Sequence, residues 1–545
     1  MDEKHLVETA GIDIDNWEQT PVSVRKVVVQ LAGKVEQMKG KYFSIALIFD
    51  RLGPFICAIT YFLVIISFVE FRSVFEIDYD EGYNLAKGSL IATGEPLFTR
   101  IWSDQPPLLA LMVAGLQKVF PWSVTVCRLL ILVLSSAMVG AIYASAGQIL
   151  KTSGNSPVGR RSRILAGWSA AIAFVATERI VRMSLAVDVG TPSIVFATIS
   201  LAFLIYQWSS PKPSIPVWLS GFFLALGCGA KLFVAFLIPI FIFFSSVSLL
   251  TNREAASPVT RTLLVVPSIW ISGFLVGTLL IFLPVFSNEI PQQLLSSHVQ
   301  ARAAETPSIP ESIYINDLPF YLLAFAGSII LLVTRKLRSL PAIVWLIAAV
   351  AVIYFHHPVQ SSHRLLMVIP AAILVGAGIG ALVDFRYRYK WYTLAIAGMM
   401  AIALGVFSGV RFLSPAHWRT GAEPSAFLTQ AMSHLDGYEH SKMATSRQTL
   451  AFRAKMLTPP ELAVTSIKRF RTGQIDVSDI LKAIREQDVA FVFLDSRWPK
   501  HIIEPLFQEI RHDYCVVLNR KDSVMWKNRK IALPGECLYL KKIFE

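Results

Sequence analysis

Six carboxylates crowd one polar stretch, Phe75 to Leu108, which reads FEIDYDEGYNLAKGSLIATGEPLFTRIWSDQPPL. They are Glu76, Asp78, Asp80, Glu81, Glu95 and Asp104, and they stand in a chain whose formal net charge is +13. A carboxylate within hydrogen-bond reach of a hydroxyl can take its proton as a general base. Farther along, charged groups gather at the ends of apolar runs: Arg179, Arg182 and Asp188 in one place, Lys231 in a second, and His356, His357, His363 and Arg364 in a third. Arg, Lys and His donors can hold a phosphate and stabilise the charge that grows on it as its bond to carbon breaks. Charges at a membrane rim that snorkelling does not explain are functional candidates, because their desolvation costs free energy that something must offset. The two sets together suit a transfer in which a nucleophile loses a proton and a phosphate leaves.

The elements that must position these residues are apolar helices. Of the 545 residues 54% are hydrophobic and only 16% charged, where ordinary globular domains carry roughly 25% charged residues; the mean hydropathy is +0.53. Apolar runs cover 53–71, 123–149, 164–181, 189–207, 215–230, 232–250, 262–286, 318–334, 340–355, 364–383 and 391–412. Their lengths approach the roughly 20 residues a helix needs to cross the hydrocarbon core. No stretch has the alternating pattern of a membrane barrel. The pI of 9.5 does not point to nucleic acid, since the Lys and Arg residues sit in short connectors between apolar runs.

Those connectors orient the chain. The run 107–120 is apolar but short, and it either spans or lies re-entrant at the surface. Left out of the count, it puts the clusters around Lys151 and Arg160, Lys212, Arg253 and Arg261, Arg335 and Arg338, and Arg386 and Lys390 on the side of the basic N-terminus, as the positive-inside rule requires. The expectation is a polytopic α-helical membrane protein with about eleven crossings. A cytoplasmic segment 1–42 comes first, without a cleavable signal, and a transmembrane part 43–413 follows with its outer loop at 72–122. The loop 287–317 and everything after 413 share that outer face. The segment 21–41 reads either as a solvated basic helix or as one lying on an anionic leaflet.

The last part, 414–545, changes character. DVSDILKAIREQDVAFVFLDSRWP predicts an amphipathic helix over 477–487 and a buried strand over 489–494, and CVVLN and CLYLKK read as further strands. A small extracytoplasmic α/β domain is expected. Cys515 and Cys537 there form either a disulfide or two buried thiols, while Cys57, Cys127 and Cys228 lie in apolar runs; none has zinc spacing.

Four stretches resemble, in order, motifs of the GT-C glycosyltransferases of the protein-mannosyltransferase and lipid A aminoarabinose-transferase superfamily. The first outer loop supplies Asp80, Glu81, Tyr83, Ala86, Gly94, Pro96 with Leu97, and the pair Pro106 and Pro107 that opens a surface helix. RIVRMSLAVDVGTPS carries Asp188 at the start of a span, GFFLALGCGAKLFVAFLIP carries Lys231 after a Gly-rich helix end, and SSHRLLMVIPAAILVGAGIGAL sets polar residues before a Pro and a run of small residues. The resemblance covers roughly 50–410. It implies a monosaccharide moved from a polyprenyl-phosphate donor to an envelope glycan, lipid or protein acceptor on the outer face of the membrane; the compact loops, without a eukaryotic-type insertion, point to a bacterial inner (plasma) membrane, with an archaeal membrane as the alternative. It implies Asp80 as base, Glu81 orienting it or contacting the acceptor, and Asp188 as a further site carboxylate. Lys231 would bind the lipid phosphate, with Tyr83, Arg179, Arg182, His363 and Arg364 as further binding residues. No nucleotide site is needed, and no phosphate-binding glycine loop follows a strand.

Other readings stay open at this level. Asp80 and Glu81 can serve only to keep a loop soluble, Asp188 can cap the helix that follows, and Lys231, Arg182 and Arg364 can reach lipid headgroups. Asp80, Glu81 and Asp188 would hold a divalent cation if they converge, and His356 with His357 can ligate a metal. A transporter of lipid-linked intermediates or a non-enzymatic assembly protein is the competing class. A transporter predicts ionisable groups or broken helices near the bilayer midplane, whereas here the charges gather at span ends.

Overall fold

The computed structural model describes residues 48–151, 157–208, 214–250, 259–296, 316–355, 361–421, 424–520, 523–533 and 536–537. The basic segment 21–41, His356 and His357, most of the loop 287–317, and the expected strand beyond Cys537 lie outside the described residues.

Among the described residues seven helices are long and apolar enough to cross a membrane: Ile48–Phe68, Val124–Ile149, Gly190–Gln207, Val265–Val285, Leu337–Phe355, Leu365–Asp384 and Ala395–Leu413. Pro157–Val175 is a further helix with its arginines confined to the first turns, and Ser214–Ala230, Leu237–Val247 and Leu318–Val333 are shorter apolar helices. These helices occupy all eleven expected apolar runs. Leu108–Val119 is a helix of 12 residues, about 18 Å long at 1.5 Å per residue, too short to cross the hydrocarbon core. Leu365–Leu413 is continuous in its hydrogen bonding. Arg364 at its start and Arg411 near its end nevertheless both reach the Asp317 carboxylate, so the run returns on itself between its two apolar halves.

The helix Leu365–Asp384 is the centre of the bundle, with 94% of its apolar window buried. Small residues let it get there. A Cβ at Gly376 would run into the backbone of Ala166 and Ala170, so the glycine allows Pro157–Val175 to approach backbone to backbone. Apolar lipid gives helices no hydrophobic reason to associate, and such close packing supplies the attraction instead.

Outside the bundle the chain forms a four-stranded sheet, β1 Lys442–Thr445, β2 Val489–Asp495, β3 Tyr514–Arg520 and β4 Ser523–Asn528, in the order β1-β2-β4-β3. The β1 and β2 strands are parallel and the other pairs antiparallel. Every residue of β2 is buried, because the helices Val477–Glu486 and Lys500–Ile510 cover one face and Ala426–Leu435 and Gln448–Arg453 the other. Asp476 caps the first of these in a reciprocal capping box with Asp479. The strands β1 and β4 are not legible in the sequence, while Cys515 and Cys537 are joined in a disulfide.

This region sits on the acidic loop. Arg453 donates to the carbonyls of Phe75 at 2.9 Å and Val74 at 2.6 Å, Thr449 Oγ1 donates to Glu76 at 2.8 Å, and Arg497 pairs with Glu76. A Cβ at Gly82 would lie 2.7 Å from Thr449 Oγ1 and 2.8 Å from its amide nitrogen, so only glycine permits this contact.

Candidate active site

The helix Tyr79–Ala92 opens on Asp78, whose side chain accepts from the Asp80 amide at 3.2 Å. Both following carboxylates lie in the first turn, where the free amides favour negative charge, and they go separate ways. Asp80 is partly buried and feels the charges of Asp78, Lys231, Asp188 and Asp104. Burial and the neighbouring Asp78 carboxylate raise its pKa to about 7, with Lys231 opposing. Glu81 turns into the protein and is fully buried. Its carboxylate takes Arg128 Nε at 2.8 Å, Arg128 Nη2 at 2.6 Å and the Ile77 amide at 3.0 Å.

Asp188 ends the turn before Gly190–Gln207. Its Oδ1 accepts from the amides of Gly190 at 2.5 Å and Thr191 at 3.1 Å, so it caps that helix and faces the site at once. Burial raises its pKa to about 6, with Asp78 adding to the rise and Lys231 opposing. Lys231 breaks the chain between Ser214–Ala230 and Leu232–Val234. Its Nζ lies 3.3 Å from His363 Nε2 and 5.0 Å from the centre of the Phe233 ring. Burial lowers its pKa, while Asp188, Asp80 and Asp104 hold it up. Tyr83 is buried, and its hydroxyl, with a single proton to give, lies 2.7 Å from Tyr79 Oη and 3.1 Å from the Thr465 carbonyl.

Asp80, Asp188, Lys231 and His363 therefore share one place at one end of the bundle. The expected clamp of cations does not form as a whole. Arg364 is fully buried and committed to Asp317 and to Glu178, Arg179 pairs with Glu178 at 3.5 Å, and Arg182 reaches Asp78 at 3.4 Å. Glu81 does not converge with Asp80 and Asp188, because Arg128 takes its carboxylate. Among the described residues no three His, Cys, Asp or Glu side chains come together as a metal-holding group.

Several contributors escaped the sequence reading. Asn84 and Lys87 follow Asp80 at i+4 and i+7, the spacing of one helix face. Asn84 Nδ2 donates to the Asp80 carbonyl at 3.1 Å and to the Val187 carbonyl at 2.9 Å, tying the acidic helix to the Asp188 turn. Lys87 is buried, and its pKa is lowered by that burial and supported by Asp104 and Asp80. Lys468, from the region after the last span, pairs with Asp104 at 2.9 Å. Arg128 was visible only as a lone charge near the start of an apolar run.

This architecture is similar to that of ArnT from Cupriavidus metallidurans in two crystal structures. The one bound to undecaprenyl phosphate gives a TM-score of 0.59 at 13% identity, over 90% of this chain and 100% of that one. The apo structure gives 0.55 at 14% identity, over 89% and 100%. The apo oligosaccharyltransferase of Archaeoglobus fulgidus gives 0.51 at 11% identity, over 89% of this chain and 76% of that one. No protein-family model and no curated protein sequence matches the chain. The fold is thus that of a polytopic helical membrane protein of the GT-C type, carrying a small C-terminal α/β region.

Proposed function

We propose that this protein is a membrane glycosyltransferase that moves a monosaccharide from a polyprenyl-phosphate donor to an envelope acceptor at the outer face of the membrane. The observation that carries this reading is the meeting of Asp80 and Asp188 with Lys231 and His363 at the rim, on a fold shared with a structure bound to undecaprenyl phosphate. Asp80, with its pKa raised to about 7, is poised to accept the proton of an acceptor hydroxyl near neutral pH. The acceptor oxygen bonds to the anomeric carbon, the carbon–oxygen bond to the donor phosphate breaks, and the polyprenyl phosphate leaves as an anion. Lys231 and His363 stabilise that developing charge. Asp188 supports the sugar side of the site, and Tyr83 fixes the acidic helix against the C-terminal region.

Glu81 acts in this scheme as a positioning residue. Its bond to Arg128 locks the helix that presents Asp80. On the same reading the N-terminus is cytoplasmic and the C-terminal region lies outside the plasma membrane, where the Cys515–Cys537 disulfide suits an oxidising compartment.

The test is transfer of label from a panel of polyprenyl-phosphate sugars into envelope material by membranes holding wild-type protein or Asp80→Asn at matched levels. Loss of a general base predicts a fall of about 10²- to 10⁴-fold. Equal labelling by both proteins would remove the reading.

A further inference from the structure

A second cluster of cations surrounds a cavity of about 380 Å³ between the Glu178–Arg182 turn and the end of the last span; the lining of this cavity includes neither Lys231 nor His363. Arg179, Arg182, Arg411, Arg419 and the buried His417 line it, with Glu178 as its one carboxylate. Just beneath, Arg364 and Asp317 complete a network in which Arg179 and Arg364 share Glu178, Arg364 and Arg411 share Asp317, and Arg182 reaches Asp78. Five guanidinium groups thus meet three carboxylates, leaving two positive charges unmatched. Arg419 joins no ion pair among the described residues.

Like charges held this close repel one another, and an anion bound among them would relieve that repulsion. The backbone reinforces the point. Arg179 holds a left-handed φ of 62°, a conformation an arginine adopts at a cost and one that concentrates at functional sites. Planar guanidinium forks match phosphate oxygens in bidentate fashion.

We propose that this cavity binds a phosphate-bearing group of the acceptor, separate from the donor phosphate at Lys231 and His363; the assignment to the acceptor rests on the transferase reading, the binding of phosphate does not. Arg182 links the cavity to Asp78, two residues before Asp80. A group anchored there would set the acceptor one ion pair away from the base.

The full-length protein in phosphatidylcholine nanodiscs is titrated calorimetrically with inorganic phosphate and, separately, with dihexanoyl phosphatidic acid. Saturable binding that Arg419→Gln and Arg179→Gln each weaken on the order of tenfold, and that Lys231→Gln retains, is the expected result. Arg419 is exposed and, among the described residues, joins no ion pair, so its variant keeps the fold. Response to both probes assigns the chemistry to phosphate as such, and response to the lipid alone assigns it to a headgroup; either supports the proposal. Absence of saturable binding, or binding that survives both arginine variants and disappears in Lys231→Gln, overturns it. Should Asp80→Asn keep full transfer while phosphate binding stays arginine-dependent, the transferase reading fails and the phosphate site stands.

Discussion

Replacing Glu81 by Gln separates two tasks that a carboxylate at this position can perform. Glu81 and Arg128 are both fully buried. The carboxylate accepts two hydrogen bonds from the guanidinium, at 2.8 and 2.6 Å, and Arg128 Nη1 satisfies the carbonyls of Phe71 and Val74 at 2.5 and 2.8 Å. An amide preserves the shape but offers one acceptor oxygen in place of two, turns donors toward the guanidinium and leaves a buried cation without a counter-charge. Removing one partner of a buried pair costs roughly 3–5 kcal/mol, against about 0–1 kcal/mol for an exposed one. Unfolding of Glu81→Gln in mixed micelles, followed with denaturant, should therefore show a loss of about 3–5 kcal/mol. Glu81→Gln combined with Arg128→Met should recover only part of that loss, because no unpaired charge remains but the Phe71 carbonyl loses its Arg128 donor. Transfer measured where the variant is still folded should fall less than in Asp80→Asn. A Glu81→Gln protein with wild-type stability and abolished transfer would refute the reasoning and put Glu81 on the substrate.

Three further outcomes follow from the same geometry. The ionised fraction of Asp80 grows as pH rises through about 7, so kcat/KM should climb across that range, and Asp78→Asn, which removes a neighbouring negative charge yet keeps a capping oxygen, should move the midpoint to lower pH. A midpoint that stays put would exclude Asp80 as the titrating base. Gly82→Ala drives a Cβ into Thr449, within 2.7–2.8 Å of its Oγ1 and amide nitrogen; this should cost about 1–3 kcal/mol and make residues 424–520 more sensitive to limited proteolysis, which unchanged resistance would contradict. Cys515→Ser opens a loop of sequence separation 22, worth about 3 kcal/mol by chain entropy. Urea unfolding should show that loss in the variant and in reduced wild type alike, with no further effect of reductant on the variant.

What the sequence by itself determined is what one-dimensional signals can carry. Hydrophobic run lengths marked where the apolar helices lie, the positive-inside rule kept 107–120 out of the count, and the Asp-Glu pair, Asp188, Lys231 and His363 were marked by being charged or polar at the ends of apolar runs. The amphipathic helix at 477 and the strand at 489 were legible because their periodicities are local. Tertiary structure alone decided which charge meets which. Glu81 and Asp80 are neighbours in the chain, but a helix rotates successive side chains by about 100°, and that turn sends one to Arg128, 47 residues away, and the other toward Lys231. Arg364 and His363, equally adjacent, divide between Asp317 and Lys231 in the same way. Tyr83 finds its carbonyl partner 382 residues along the chain. Such pairings depend on how helices pack and on which groups burial leaves in need of a partner, and these are set only when the whole bundle and its C-terminal cap come together.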